Sequence, residues 1–232
     1  MGKISVSLNQ KQREKYIDKL LKLDGLSHIK ENPLAAYCPI SLTNTPDVIK
    51  SIVKRRQDIL MNDVLAPVGI TAYDPSTAPY SPDTNLTSLP NEIYIVDSGK
   101  IVGARYFVGH NLLPSTGQGV EIEKAKVFNR VVVILMDKNI RISRMQPHRA
   151  IYLQYNNFEK EATNFIPVFK LLKQYEPGMG FNDNSPVLLG FKRKETVDLE
   201  ELIYKTFPNL QYTYDGKIAA VKLGVKNPKI FQ

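Results

Sequence analysis

The segment Pro114-Ser115-Thr116-Gly117-Gln118-Gly119-Val120-Glu121 brings a hydroxyl, two glycines and a carboxylate together. Such residues suit an anion held at a helix start with an acid just behind it. Glycines let backbone N–H groups approach an anion closely, and the helix dipole adds to the attraction. The same residues also spell a tight turn in which Ser115 and Gln118 form a capping box, so the turn alone assigns nothing. Glu121 carries more. Counting by three and four places it with Ala125 and Phe128 on a sheet-facing stripe, whereas Glu123 keeps company with Lys126 on a solvated side. A buried acid is costly unless it is paired or used, which leaves two readings: a carboxylate satisfied by neighbouring amides, or a chemical role. Asp97 closes a strand expected over residues 93–96. Two carboxylates converging at the carboxyl edge of a parallel sheet could divide labour, one attacking a sugar carbon and the other handling a proton.

The elements needed to position these groups follow from hydrophobic spacing. Residues 1–32 read as a Lys-rich helical appendage with Tyr16, Ile17, Leu20 and Leu21 on one side and a break near Gly25. The apolar run 34–42 predicts a buried strand holding Tyr37 and Cys38. Thr45-Pro46-Asp47 then supplies a helix start with a capping hydroxyl, and Val48, Ile49, Ile52, Val53, Ile59, Leu60 and Val64 continue the helix until Pro67 and Gly69. A short strand is expected over 70–73. Residues 74–91 are rich in proline, serine, threonine and aspartate and read as a long irregular loop of the kind that forms lids and binding sites. Further strands are expected over 101–108, 131–136 and 152–155, with a helix over 120–128. The 131–136 run is almost entirely β-branched or aliphatic, as in a strand covered on both faces.

Alternating strands and helices predict an α/β, flavodoxin- or Rossmann-like doubly wound parallel sheet. A helix over 158–175 should be bent by Pro167, with Glu176-Pro177-Gly178 closing the unit. A strand at 187–191, a helix at 199–206 and a hairpin turned at Asp215-Gly216 make a small C-terminal α+β extension. The organisation expected is therefore an appendage at 1–32, an α/β domain at 33–180 and a β-α-β-hairpin extension at 181–232.

Composition narrows the classes. A chain of 232 residues with 43% hydrophobic content can bury one core, since a domain of this length hides roughly 70% of its unfolded surface. The single Cys38 makes no internal disulfide, and neither a signal peptide nor a membrane span is evident, which implies a cytoplasmic protein. The +8 charge attracts polyanions at long range, but no nucleic-acid module accompanies it. Neither a zinc-ligand spacing nor a Walker-type loop is present, so no metal or cofactor is expected. Cys38 reads as core, and His110 as structural or solvated.

The order Tyr94-Ile95-Val96-Asp97, an isoleucine-led strand, then Gly117-Gln118-Gly119-Val120-Glu121 and Ala125 resembles the nucleoside 2-deoxyribosyltransferases and the related deoxynucleoside 5′-monophosphate N-glycosidases. The resemblance spans roughly residues 35–155. It implies N-glycosidic bond cleavage or transfer, with Glu121 as nucleophile at the anomeric carbon, Asp97 holding or protonating the base and Tyr37 beside the sugar. In that family, transferases acting on free nucleosides tend to carry an acid where this chain has Ser115, whereas the monophosphate hydrolases place a serine there against the phosphate. The resemblance therefore implies a 5′-phosphorylated substrate bound by Ser115, Gly117 and Gly119. Ile142-Ser143-Arg144-Met145 is similar to the segment by which the hydrolases reach a neighbouring subunit's phosphate site. This implies a homo-oligomer in which Ser143 and Met145 approach another subunit's Ser115, with Arg141, Arg144, His148 and Arg149 adding positive charge. Arg105, where relatives often have an acid, the 74–91 loop and both extended termini depart from the family. Two other readings stand beside it: a non-catalytic nucleotide-binding or sensor module with a basic surface, and an NAD-cleaving relative.

Overall fold

A crossover between parallel strands usually runs through a helix on one face of the sheet, and the helices of this chain cover both faces. The computed structural model describes residues 10–41, 45–79, 81, 89–112, 115–137, 150–173, 210–211 and 220–222. Five parallel strands form the sheet: β1 (Asn32–Tyr37), β2 (Thr71–Tyr73), β3 (Ala104–Asn111), β4 (Val131–Asp137) and β5 (Ile151–Tyr155). They lie in the order β2-β1-β3-β4-β5, the flavodoxin-like arrangement. Two short C-terminal strands, β6 (Leu210–Gln211) and β7 (Ala220–Lys222), pair antiparallel with each other, and β7 continues the sheet parallel to β5. These two are the described parts of the hairpin expected around Asp215-Gly216. The strand at 187–191 and the helix at 199–206 lie outside the described residues.

The period-two alternation of strand side chains divides the core. On one face Ala36, Tyr106, Val108, Val131, Val133, Leu135 and Leu153 pack with Leu60, Val64, Phe158, Phe165 and Phe169. The helices over this face are α2 (Asp47–Ile59), continued by a π-helical turn Leu60–Leu65, and α5 (Phe158–Glu161) with α6 (Ile166–Lys173). On the other face Tyr37, Phe107, Val132, Ile134 and Met136 pack with Ile101, Ile122 and Ala125. Those come from α3 (Pro90–Gly103) and α4 (Thr116–Val127). The sheet is thus doubly wound. The N-terminal helix α1 (Gln10–Leu23) docks through Ile17, Leu20 and Leu21 on a third cluster with Leu26, Val102 and Phe128. Among the described residues no helix is long and apolar enough to cross a membrane.

Four expectations need correction. Residues 93–96 are helical, within α3, so Asp97 stands in a helix rather than at a strand end. The run is rich in β-branched residues, but Pro90 occupies the first turn and the Glu92 carboxylate accepts from the Leu89 N–H at 3.0 Å, start signals that outweigh strand propensity. Consequently Ile101 and Val102 end a helix, and the following strand begins at Ala104. The irregular stretch after Asp74 gives way to helix from Pro90. Thr45 does not cap α2; its hydroxyl donates to the Ser41 carbonyl at 3.2 Å, and Pro46 stands at the N-cap.

At the amino end of the sheet, Arg130 donates to Phe128 O at 2.7 Å, Ala104 O at 3.0 Å and Val102 O at 3.2 Å, and also pairs with Glu31. Arg105 meets the same carboxylate at 3.0 Å. Removing one member of such a partly buried array strands its partners, at a cost of about 1–3 kcal/mol. Arg130→Met is expected to lose that much in urea denaturation, and a loss below about 1 kcal/mol would show that water replaces the guanidinium.

Candidate active site

The site lies at the carboxyl edge, on the face covered by α3 and α4. Tyr37 ends β1 and has no exposed surface. Its ring stacks between Tyr73, the last residue of β2, at 5.8 Å and Phe107 of β3 at 5.9 Å, both at 27°. The register aligns Tyr37 with both neighbours, so three adjacent strands hold the phenol. Its hydroxyl donates to Glu121 Oε1 at 2.8 Å.

Glu121 sits on α4 just past the turn that leads into it. Ala125 and Phe128 are buried on the same stripe, while Glu123 pairs with Lys126 at 2.6 Å on the exposed side, as the helical count predicts. Burial pushes the Glu121 carboxyl up from the ordinary 4.5 to about 7; the Tyr37 hydrogen bond opposes the rise, and the charge of Asp97 adds to it. Asp97 projects its field from α3 on both Glu121 and Tyr37. Burial, then the Glu121 charge, hold the Tyr37 phenol far above its usual range, so it stays a neutral donor. Tyr37, Glu121 and Asp97 therefore form one electrostatic unit. A carboxyl raised toward neutrality beside a second acid is placed to act as a base or nucleophile once it ionises.

The turn before α4 is built as a helix cap. Ser115 is the N-cap residue, and its hydroxyl oxygen accepts from the Gln118 N–H at 3.2 Å. Only half of the expected capping box forms, because the Gln118 side chain turns inward to the His110 carbonyl at 3.4 Å. Gly109 makes this possible: a Cβ there would come within 3.2 Å of Gln118 Nε2. The Gly119 N–H is committed to Ser115 O at 3.1 Å, so Gly119 contributes room rather than a donor. A Cβ on Gly119 would meet nothing within 4 Å, and one on Gly117 only Ser115 Oγ at 3.8 Å. Neither glycine is required by packing among the described residues. The amides of Thr116 and Gly117 belong to the first turn, where helix geometry leaves N–H groups without intrahelical acceptors. Ser143 and Met145, with Arg141, Arg144, His148 and Arg149, lie outside the described residues.

One polar side chain, Gln57, escaped the sequence reading, and another, Gln118, was read for a different partner. Gln57 and Gln118 are 2% and 7% exposed, and each amide grips a carbonyl at or just beyond a strand end, Cys38 O at 2.7 Å and His110 O. Gln57 could have been noticed as the polar member of an otherwise apolar helical stripe. On the opposite face, His110 Nε2 lies 2.5 Å from the Tyr155 hydroxyl, which also accepts from Arg56 at 3.3 Å, and Arg56 pairs with Glu159 at 2.9 Å. Burial, reinforced by Arg56, holds the His110 imidazole down at about 3. It is a neutral core residue. A groove of about 730 Å³ runs beside α3, past Leu26, Ile29, Ala35, Thr71 and Gly99, and meets the candidate site at Tyr73. Glu121 and Asp97 are not among its walls.

No family model matches the chain, and no curated protein matches it. Among solved structures the chain is similar to the CMP N-glycosidase BcmB of Clostridium botulinum, at 15% identity over 58% of this chain and 98% of that one, with a TM-score of 0.41. It is also similar to a 2-deoxyribosyltransferase of Bacillus psychrosaccharolyticus, at 14% identity over 56% of this chain and 90% of that one, with a TM-score of 0.39. Likenesses this distant assign neither activity nor site residues.

The raised carboxyl has a thermodynamic consequence. The folded chain binds the Glu121 proton more tightly than the unfolded chain does, so this group's contribution is fully present below pH 4.5 and is lost as pH rises through about 7. Glu121→Gln should therefore stabilise the fold by about 1–3 kcal/mol at pH 8 and by nothing at pH 4. Urea denaturation at both values checks this. A loss at pH 8, or an equal gain at both, would contradict a buried carboxylate.

Proposed function

We propose that the chain is a glycosidic-bond enzyme that cleaves or transfers at the anomeric carbon of a nucleoside, with preference for the 5′-monophosphate. The observation that supports this reading most is the Tyr37 hydroxyl 2.8 Å from Glu121 Oε1, beside the Asp97 charge. With Oε1 held by Tyr37, the second oxygen, Oε2, attacks C1′ as the C1′–N bond breaks through an oxocarbenium-like transition state. The electron pair of that bond passes to the base nitrogen, which takes up a solvent proton relayed by Asp97. The glycosyl ester on Glu121 is then resolved by water or by a second base at C1′, which restores the carboxylate.

The Thr116 and Gly117 amides and the Ser115 hydroxyl would take the phosphate. Ser115 Oγ already accepts from Gln118, which leaves its O–H proton to donate to a phosphate oxygen. Ser143 and Met145 of a second subunit are proposed to complete that site.

The test incubates the purified protein with a panel of nucleosides, nucleoside monophosphates and NAD, with and without a free second base, and identifies products by chromatography. Glu121→Gln should remove cleavage by at least roughly a thousandfold while keeping the fold. Nucleotide binding without any product in the parent would favour a sensor module instead. Asp97→Asn should lower turnover strongly and leave phosphate-dependent binding nearly intact.

Because attack needs the ionised form, cleavage should rise with pH through about 7, the value at which Glu121 gives up its proton. Tyr37→Phe removes the hydrogen bond that favours the carboxylate and should move that midpoint upward by about one unit, the equivalent of a hydrogen bond to a charged group. An unchanged midpoint would remove Tyr37 from the catalytic set. The preference for the monophosphate should be roughly 2–4 kcal/mol in kcat/KM, and Ser115→Asp should reverse it by setting a negative charge against the phosphate. Equal use of nucleoside and monophosphate by the parent would return the glycine turn to a purely structural part.

A further inference from the structure

Helix α2 and the π-helical turn that continues it pack on the sheet through Val53, Gln57, Leu60 and Val64, spaced by four, three and four residues. Their exposures are 6%, 2%, 0% and 0%. Gln57 thus occupies an apolar stripe, where an amide without partners would cost about 1–3 kcal/mol. Its Nε2 donates to the Cys38 carbonyl at 2.7 Å. Cys38 directly follows β1, and its own N–H donates to Tyr73 O at 2.9 Å. Cys38 is therefore pinned through its N–H by the edge strand β2 and through its carbonyl by α2. The Tyr37 side chain leaves the chain on the opposite face, between Tyr73 and Phe107, and reaches Glu121.

We propose that Gln57 is a positioning residue for the Tyr37–Glu121 pair, acting through the Cys38 carbonyl across the sheet. This rests on the role assigned to Glu121 above. A working geometry has to be held within about 0.5 Å, and side chains are held that closely only when the backbone beneath them is fixed as well. The Cys38 thiol is buried in the core on the α2 face and cannot reach the opposite face. What α2 contributes to the site is the orientation of the backbone at Cys38, set by one hydrogen bond. A glutamine suits the task because its amide donates with no charge, whereas a lysine or arginine there would be desolvated and would add a cation below the two acids.

Because Gln57 is neutral, exchanging it for another neutral residue leaves the charges around Glu121 unaltered. Those groups are Tyr37 from β1 and Asp97 from α3, with Tyr73 of β2 beside Tyr37 and the Lys100 ammonium 4.7 Å from the Tyr73 ring. Any change in the titration of Glu121 must then come through geometry. Loss of the Tyr37 hydrogen bond removes an influence that lowers the Glu121 carboxyl, so the expected direction is upward.

The experiment is a carbon-13 carboxyl NMR titration of the full chain labelled at glutamate, with the Glu121 signal identified by its loss in Glu121→Gln. The parent is compared with Gln57→Met, which conserves length and volume but removes the donor. A second comparison is Gln57→Asn, whose amide is one carbon too short to reach Cys38. Val53→Ala serves as a control that loosens α2 on the same stripe without touching Cys38. The Glu121 midpoint should rise by about half to one unit in both Gln57 variants, leaving roughly three to ten times less carboxylate at a fixed pH well below the midpoint. It should stay in place in Val53→Ala. An unmoved midpoint in folded Gln57→Met overturns the proposal, and so does an equal rise in Val53→Ala, which would make the effect one of general loosening. Should Gln57→Met fail to fold, the same two criteria apply to Gln57→Asn. The titration needs no turnover, so it holds or fails separately from the question of whether the chain cleaves a nucleoside.

Discussion

A carboxylate taken out of water must be protonated, paired or hydrogen bonded, and the bond from Tyr37 to Glu121 is where this fold meets that demand. Each partner is fixed by different elements. The phenol depends on β1 lying between β2 and β3, since its ring stacks on the aromatic side chains in register on both sides. The carboxylate depends on α4 following β3 at the height set by the Ser115 cap and the Gln118 grip. A parallel sheet delivers both to one edge because every strand ends there and every following helix begins there. Asp97 arrives by the same rule from α3, in the crossover between β2 and β3.

The two faces of the sheet treat their polar groups differently. Beneath α2 and α5, the His110, Tyr155, Arg56 and Glu159 series runs across four elements and ends in an ion pair that is partly exposed, with His110 Nδ1 buried and without a partner among the described residues. Arg56 lowers Glu159 and opposes the burial that raises Tyr155, so the array settles into fixed protonation states. Beneath α3 and α4, burial and then the charge of Asp97 raise the Glu121 carboxyl against the Tyr37 hydrogen bond. The carboxyl brought to about 7 thus stands on this face. The opposite face supplies rigidity, through Gln57 on Cys38 and through the packing of Leu60, Val64, Phe158 and Phe169.

Much of this was legible in the sequence where a single physical signal dominated. The uninterrupted apolar run 131–136 marked β4 because a strand covered on both faces has no polar side to show. The helical count around Glu121 separated it from Glu123 because a helix repeats every 3.6 residues whatever its partners. Asp97 was read onto the wrong element: β-branched residues at 93, 95 and 96 mimic a strand, while Pro90 and Glu92 carried the deciding start signal. Gln57 and the Gln118 grip were harder to see, since their acceptors are backbone carbonyls, which no residue type announces. Tertiary hydrogen bonds of this kind appear only when the helix has been laid on its sheet.

The position of Glu121 relative to the start of α4 also separates two electrostatic tasks that would otherwise conflict. The helix dipole favours negative charge at the first turn and fades within it. An acid placed there would be held ionised, and it would repel any anion sharing those amides. Glu121 stands beyond that turn, more than one turn after the Ser115 cap, and burial there overcomes what remains of the dipole, as its rise to about 7 records. The first turn carries Ser115, Thr116 and Gly117, with no acid among them. An anion at the cap and a carboxylate further along the helix can therefore coexist on one element, about a helical pitch of 5.4 Å or more apart along the axis. Moving the acid into the first turn would merge the two sites and ionise the very group whose titration near neutrality gives it chemical use.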